Sequence, residues 1–551
     1  MKKEISFWMA ISIFSLLFST WLMFHTFSYD GKSSSMLIAP KAWSDFGAHI
    51  PLIRSFSKGF NWPPESPLFP GEPIRYHFLF YFLVGMLEKI GLRIDWALNT
   101  PSIIGFMGLM IGIALFAQSV FRDKRITILS LLFFMFNGSF SFIRFFELHP
   151  LSPTSIFDIV TNGAFPSFAP WGQGEIAAFW TLNIFTNQRH LAFAFACAIF
   201  FIGILIKIEK KPFTKQIFFL IPEAFILAIM PYFHQPILVI LALFMICYFI
   251  LFPRLRAILL LIGAVGCMYI IPQIIPILST SNTVRWNPWY LLRPPFSPLH
   301  VVWYWIQNIG LHVFLIPFGW LLAPPRIKKI TIPLLFVFLI PNLFQFSVDM
   351  INNHKFFNFY LIIGNMLSAY VIISLFHATK KISYALVRYG ITLVLCIYVF
   401  LLTFSGIIDF FPIVNDRAGS LMDIPSNPDA KFFLNHTAPT DIVLNSTWFY
   451  HPASLAGRKI FSGYTYFTWS YGYNQGKRED IQKSMYEAKT KQTVCSLARK
   501  YNISYIELSS TPEHFLKPNF GLFQQNFIPV YENPETGLTV YDVLASCASY
   551  E

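Results

Sequence analysis

The sequence predicts an all-α polytopic membrane domain of about eleven transmembrane helices, followed by a small C-terminal α/β domain outside the membrane. Charged residues make up only 13% of the chain and hydrophobic ones 55%, whereas a water-soluble domain carries roughly 25% charged residues. A surface of this size cannot be coated with so few charges, and the mean hydropathy of +0.53 agrees. The apolar residues also fall into runs of about 20, the length that crosses a hydrocarbon core. From about Phe411 onward the runs shorten to strand length.

Candidate spans are 7–25, 101–121, 126–145, 190–208, 217–233, 236–252, 257–278, 303–323, 329–346, 356–377 and 389–410. The first follows Met1-Lys2-Lys3 with no small-residue cleavage site after it, and so reads as a retained span with its lysines in the cytoplasm. The formal charge of +13 does not point to nucleic acid. The basic residues sit in short clusters between apolar runs, with no basic domain left to grip a phosphate backbone.

Those clusters decide the orientation. They are Arg122/Lys124/Arg125, Lys207/Lys210/Lys211/Lys215, Arg254/Arg256, Arg326/Lys328/Lys329 and Lys380/Lys381/Arg388. A further apolar stretch, 76–94, would put the clusters on the wrong side if it crossed. It holds His77, Glu88 and Lys89, which leaves an apolar core of interfacial or re-entrant length. If it stays on one side, all five clusters become cytoplasmic together. The expected domains are therefore a transmembrane part over 1–410, with external loops 26–100 and 146–189, and an extracytoplasmic part over 411–551.

In that last part, 441–444, 504–508 and 538–543 read as strands, and 478–501 has apolar positions at helical intervals. Cys197, Cys247, Cys267 and Cys396 lie in apolar runs as packing residues, and none of the six cysteines has metal-ligand spacing. Cys495 and Cys547 lie in the polar tail, either free or paired.

Candidate functional residues gather in the outer segments. Asp45 and His49, in Trp43-Ser44-Asp45-Phe46-Gly47-Ala48-His49, are spaced i,i+4 and share one face of a helix. They could accept a proton or hold a cation; a casual pair in a solvated loop is the competing reading. The run Asn61 to His77 has prolines that enforce an extended path and carries Glu65, Glu72, Arg75 and His77, as a shaped loop at the bilayer surface would.

Gln188-Arg189 opens a span, where the arginine either snorkels to headgroups or forks onto a phosphate. Asp158 and Glu175 lie upstream, beside Trp171-Gly172-Gln173-Gly174. Asn353-His354-Lys355 precedes another span, and its lysine suits a lipid phosphate or a plain interfacial position. Arg285 and Arg293, among Trp286, Trp289 and Tyr290, form a basic-aromatic patch, which is also the ordinary look of an aromatic belt. Walker A, glycine-fingerprint and HExxH patterns are absent, and the intramembrane charges are too few to suggest an ion pathway.

With these residues in place, the chain resembles the GT-C superfamily of membrane glycosyltransferases. The first-loop acid corresponds to Asp45, followed by a Pro-rich run and a non-crossing apolar stretch. The chain is more closely similar to an uncharacterised bacterial group within it, at Asp45 and His49, at Gly71-Glu72-Pro73-Ile74-Arg75-Tyr76-His77, at Gln188-Arg189 and at Asn353-His354-Lys355-Phe356-Phe357. The resemblance implies a bacterial inner-membrane protein that moves a sugar from a polyprenyl-phosphate-linked donor to an envelope glycan, lipid or protein acceptor on the outer face. Asp45 and His49 would then be catalytic.

Arg75, His77, Gln188, Arg189, Arg285, Asn353 and Lys355 would bind substrate. The partners implied are that donor, the acceptor and membrane lipid, and no nucleic acid. Many superfamily members have two adjacent acids where this chain has Asp45-Phe46, so a divalent cation is the only cofactor to weigh and metal use stays open. A lipid-linked glycan transporter or flippase, or a non-catalytic envelope scaffold, would share the architecture without needing Asp45.

Overall fold

The computed structural model describes residues 2–166, 177–280, 284–292 and 297–548. It is mostly helical, with some sheet. The described chain forms two compact units, one from Met1–His25 with Pro101–Arg417 and the other from Thr26–Thr100 with Ala418–Glu551.

Among the described residues, seven helices are long and apolar enough to cross a membrane. They are Glu4–Thr26, Ile94–Phe121, Arg189–Ile208, Phe213–Phe233, Pro253–Gln273, Ile351–Thr379 and Ala385–Val414. An eighth candidate is the pair Pro298–Ile309 and His312–Leu322, which is bent by 94°. Gly310 stands at that bend with φ +57°, and a Cβ there would lie 2.9 Å from the Gly138 carbonyl oxygen. Both the left-handed backbone and the close approach favour glycine.

The remaining apolar runs are broken. The run 126–145 becomes Lys124–Met135 and Ser141–Leu148. The first, capped by the Asp123 carboxylate accepting from the Arg125 N–H at 2.8 Å, rises only about 18 Å, against a hydrocarbon core of about 30 Å. The break follows from contact with the helix Ala385–Ile408: a Cβ on Gly138 would sit 2.2 Å from the Leu402 carbonyl oxygen. The run 329–346 becomes Pro325–Thr331 and Pro333–Leu343, then a two-residue strand, Phe344–Gln345, paired with Arg285–Trp286. Gln235–Leu251 is apolar but short.

The second unit joins residues Thr26–Thr100 to the tail. Strands Phe27–Asp30, Ser35–Ile38 and Gly419–Met422 form an antiparallel sheet, with Ser35 opposite Met422 and Ile38 opposite Gly419. Helix Trp43–Ser57 packs on Leu79–Lys89 so closely that a Cβ on Gly85 would meet the Ile53 carbonyl oxygen at 2.8 Å. Leu79–Lys89 has 11 residues, or about 16 Å of rise, too short to cross a bilayer.

A five-stranded mixed sheet runs Lys459–Ile460, Ile442–Leu444, Ile503–Ser509, Leu538–Asp542, Ile528–Asn533. The first three strands are parallel and the last two join antiparallel. The helical stretch expected over 478–501 is two helices, Gln475–Tyr486 and Lys491–Lys500, the second capped by Thr490. They bury Met485, Tyr486, Val494 and Ala498 against Ile506, Leu508 and Tyr541 of the sheet. Cys495 and Cys547 form a disulfide at this core, with Cα atoms 5.7 Å apart.

Candidate active site

Asp45 lies in the first turn of helix Trp43–Ser57, where the helix dipole favours an acid, and is half-buried. His49, one turn on, is buried at 2% exposure. Its ring stacks on Tyr81 with centroids 4.4 Å apart, and its Nε2 lies 3.4 Å from the Tyr76 hydroxyl. Tyr76 in turn stacks on Tyr471, at 4.7 Å, and leans on His77, at 4.9 Å. The Tyr450 hydroxyl donates to the Trp43 carbonyl at the start of the helix.

Tyr76, Tyr471 and Tyr450 all feel Asp45. Burial chiefly, with the carboxylate adding to it, pushes each phenol above its ordinary range. All three therefore keep their protons and remain O–H donors around the acid at any physiological pH. A cavity lined by His49, Leu52, Ser66, Tyr76, Tyr471 and Tyr473 opens beside the helix. The tail tyrosines are absent from the sequence-based site; their one signal was aromatic density over Tyr464 to Tyr473.

Arg75 is turned to the tail. Its guanidinium donates to the Gly472 carbonyl and, at 2.9 Å, to Glu72, and it lies over the Tyr473 ring at 4.8 Å. The Tyr473 hydroxyl closes the clasp, accepting from the Arg75 N–H at 3.1 Å and donating to the Pro73 carbonyl at 2.8 Å. Arg75 thus fixes the path of the loop that delivers Tyr76 and His77.

The other candidates belong to the first unit. Gln188 is the residue before helix Arg189–Ile208. Arg189 is fully buried: its Nε donates to the Thr186 carbonyl at 2.8 Å, and its Nη2 to the Met23 carbonyl at 3.2 Å. Beside it the rings of His190 and His234 lie 5.3 Å apart. Asn353 donates to the Pro341 and Phe344 carbonyls, at 2.9 and 2.8 Å, and accepts from the Phe346 N–H at 3.1 Å.

Asn353 thereby holds the short strand Phe344–Gln345, to which Arg285 bonds through Gln345 Oε1 at 3.0 Å. Lys355 follows in the first turn of helix His354–Thr379 and is 4% exposed. Arg285, Asn353 and Lys355 therefore belong to one corner of this unit, and Arg285 is its exposed member. Arg293, Glu175 and the run Trp171-Gly172-Gln173-Gly174 lie outside the described residues.

As a cation site, Asp45 and His49 offer one carboxylate and one imidazole. Zinc normally takes four ligands, and harder divalent cations take six or more oxygens. The pair alone is therefore a partial donor set.

No family model and no curated protein matches the chain. Among solved structures, the oligosaccharyltransferase of Archaeoglobus fulgidus in its apo form aligns with a TM-score of 0.55 at 11% identity, over 97% of this chain and 74% of that one. The same protein in complex with Zn and sulfate aligns with a TM-score of 0.52 at 11% identity, over 97% and 73%. At such identity the likeness establishes the fold alone. That fold is the one the resemblance to GT-C membrane glycosyltransferases implied.

Proposed function

We propose that this protein is a membrane glycosyltransferase that moves a sugar from a polyprenyl-phosphate-linked donor to an envelope glycan, lipid or protein acceptor at the outer face of a bacterial inner membrane. The observation that carries the reading is Asp45 and His49 on one helix face, ringed by protonated tyrosines drawn from the first loop and the tail. In this account an acceptor heteroatom attacks the anomeric carbon and its proton passes to Asp45. The bond from that carbon to the phosphate oxygen breaks, the lipid phosphate leaves with the electron pair, and configuration inverts. His49 and Tyr76 orient the carboxylate and the acceptor.

Arg189, Arg285 and Lys355 are the cations suited to the charge developing on the leaving phosphate, with Gln188 and Asn353 next to them in sequence, while Arg75 and His77 belong to the loop that carries Tyr76. A divalent cation would be held by Asp45 and His49 and take its remaining ligands from the substrate. The Zn and sulfate bound to the archaeal structure make that worth testing.

The same reading assigns residues 1–410 to eleven membrane passes and their loops, some passes short or bent, and 411–551 to an extracytoplasmic domain. Parity supports it. Residues 26–100 and 418–551 share a sheet and a core, so they lie on one side of the membrane. The chain between them must then cross an even number of times, and the first helix makes the total odd. The Cys495–Cys547 disulfide supports the outer, oxidising side.

Sealed vesicles test this directly. Purified protein is reconstituted in random orientation with a radiolabelled polyprenyl-phosphate sugar, and impermeant protease is added outside. Transfer should be lost only from the molecules whose tail is cleaved; transfer that survives complete cleavage of the tail would refute the sidedness.

A further inference from the structure

The Pro-rich hairpin of the first loop has a second face, away from the one that lines the His49 cavity. There it forms an open groove of about 380 Å³, lined by Phe60, Trp62 and two prolines together with Gly71, Glu72 and Pro73. Glu65, Thr440 and Lys459 complete it. Trp62 is 67% exposed and Phe60 57% exposed. Neither ring hangs from a loose segment. The buried Asn61 side chain donates to the Ser55 hydroxyl at 3.1 Å and to the Glu65 carbonyl at 2.9 Å, and it accepts from the Glu65 N–H at 3.0 Å. It thus pins the turn that turns Trp62 outward, while a β-bridge between Glu65 and Pro73 holds the two walls in register.

The polar groups are equally fixed. Lys459 is 92% buried and ion-pairs through Nζ with Glu65 Oε1, while Glu65 Oε2 accepts from the Gly71 N–H at 2.7 Å. An ammonium carries three N–H donors, of which Glu65 takes one among the described residues. Glu72 pairs through Oε2 with Arg75, which leaves Oε1 as an acceptor on a side chain that is 38% exposed.

We infer that this groove is a binding site for an uncharged saccharide chain. A pyranose ring has a flat C–H face and a rim of hydroxyls. The face suits the electron-rich face of Trp62, and the rim suits donors on Lys459 and acceptors on Glu72 in the same groove. Glu65 and Glu72 are balanced by Lys459 and Arg75, so the groove carries no net charge and suits an uncharged ligand. The assignment does not depend on the transfer chemistry: binding without transfer, or transfer without binding, tells the two apart.

Saturation-transfer difference NMR on the full-length protein in nanodiscs, with maltotetraose, chitotetraose and mannotetraose as probes, tests it. At least one probe should show saturation of its ring protons. Trp62→Ala should weaken that binding by at least ~10-fold, Trp62→Phe by less, and Lys459→Met and Glu72→Gln should each weaken it as well. Asp45→Asn should leave it unchanged. Absence of binding by all three probes, or binding that survives Trp62→Ala, overturns the assignment. So does finding that brominated lipids quench the Trp62 contribution to fluorescence, since the ring would then belong to the bilayer surface.

Discussion

Asp45→Asn lowers the turnover of sugar transfer by about 10²–10⁴-fold while leaving donor binding within a few-fold of wild type, because a positioned general base contributes about that much. Asparagine keeps the shape of the side chain and the helix that carries it, so loss of turnover at unchanged thermal stability isolates the chemistry. Tyr76→Phe removes the hydroxyl near His49 Nε2 and should give a smaller loss. The divalent-cation question is answered by the same variant. If Asp45 acts chiefly by holding a cation, raising manganese to millimolar levels restores part of the turnover; if it acts as the base, added metal does nothing. Full activity of Asp45→Asn would refute the assignment.

Arg54→Ala destabilises the unit formed by the first loop and the tail by about 3–5 kcal/mol, the cost of leaving buried charges without their partner. Arg54 is 2% exposed and lies between Asp423, at 2.8 Å from Nη2, and Glu88, at 3.3 Å from Nε. Ser57 donates a further hydrogen bond to Glu88. Burial alone would lower the guanidinium's affinity for its proton, but Glu88 and Asp423 outweigh burial and raise it.

Without Arg54 two buried carboxylates are left with no cation between them. The loss should be read as a lowered unfolding temperature in detergent at pH 8. Neutralising all three residues together should cost much less than Arg54→Ala alone. An unfolding temperature for Arg54→Ala equal to wild type at pH 8 would show the triad to be idle.

Much of the helical architecture was legible because lipid imposes a simple rule: about 20 apolar residues for each crossing. Where the structure departs from that pattern, the cause is a long-range contact. The break after Met135 reflects the approach of Gly138 to Leu402, and the bend at Gly310 reflects its approach to Gly138; neither leaves a trace in local hydropathy. The strands over 441–444, 504–508 and 538–543 stood out as apolar runs of strand length. Lys459–Ile460 has only two residues and Ile528–Asn533 is an exposed edge, so both carried weaker patterns.

The site divides in the same way. Asp45 and His49 were visible because i,i+4 spacing is local. The tyrosines of the tail lie about 400 positions away in sequence, and no periodicity announces such a pairing. Arg54 was hidden inside the apolar run from Ile50 to Phe56, although a charge at such a position implies partners. Arg75 drew notice as a cation for substrate, whereas its described bonds all serve the loop.

The central claim is sugar transfer from a lipid phosphate that depends on Asp45. Envelope glycans and glycolipids would be profiled by mass spectrometry in the parent strain, a deletion strain, and the deletion complemented with wild type or with Asp45→Asn. The account predicts one glycosylated product missing from both the deletion and the Asp45→Asn strain, with the polyprenyl-phosphate sugar accumulating and wild type restoring the product. Identical profiles in all four strains, or restoration by Asp45→Asn, would contradict it.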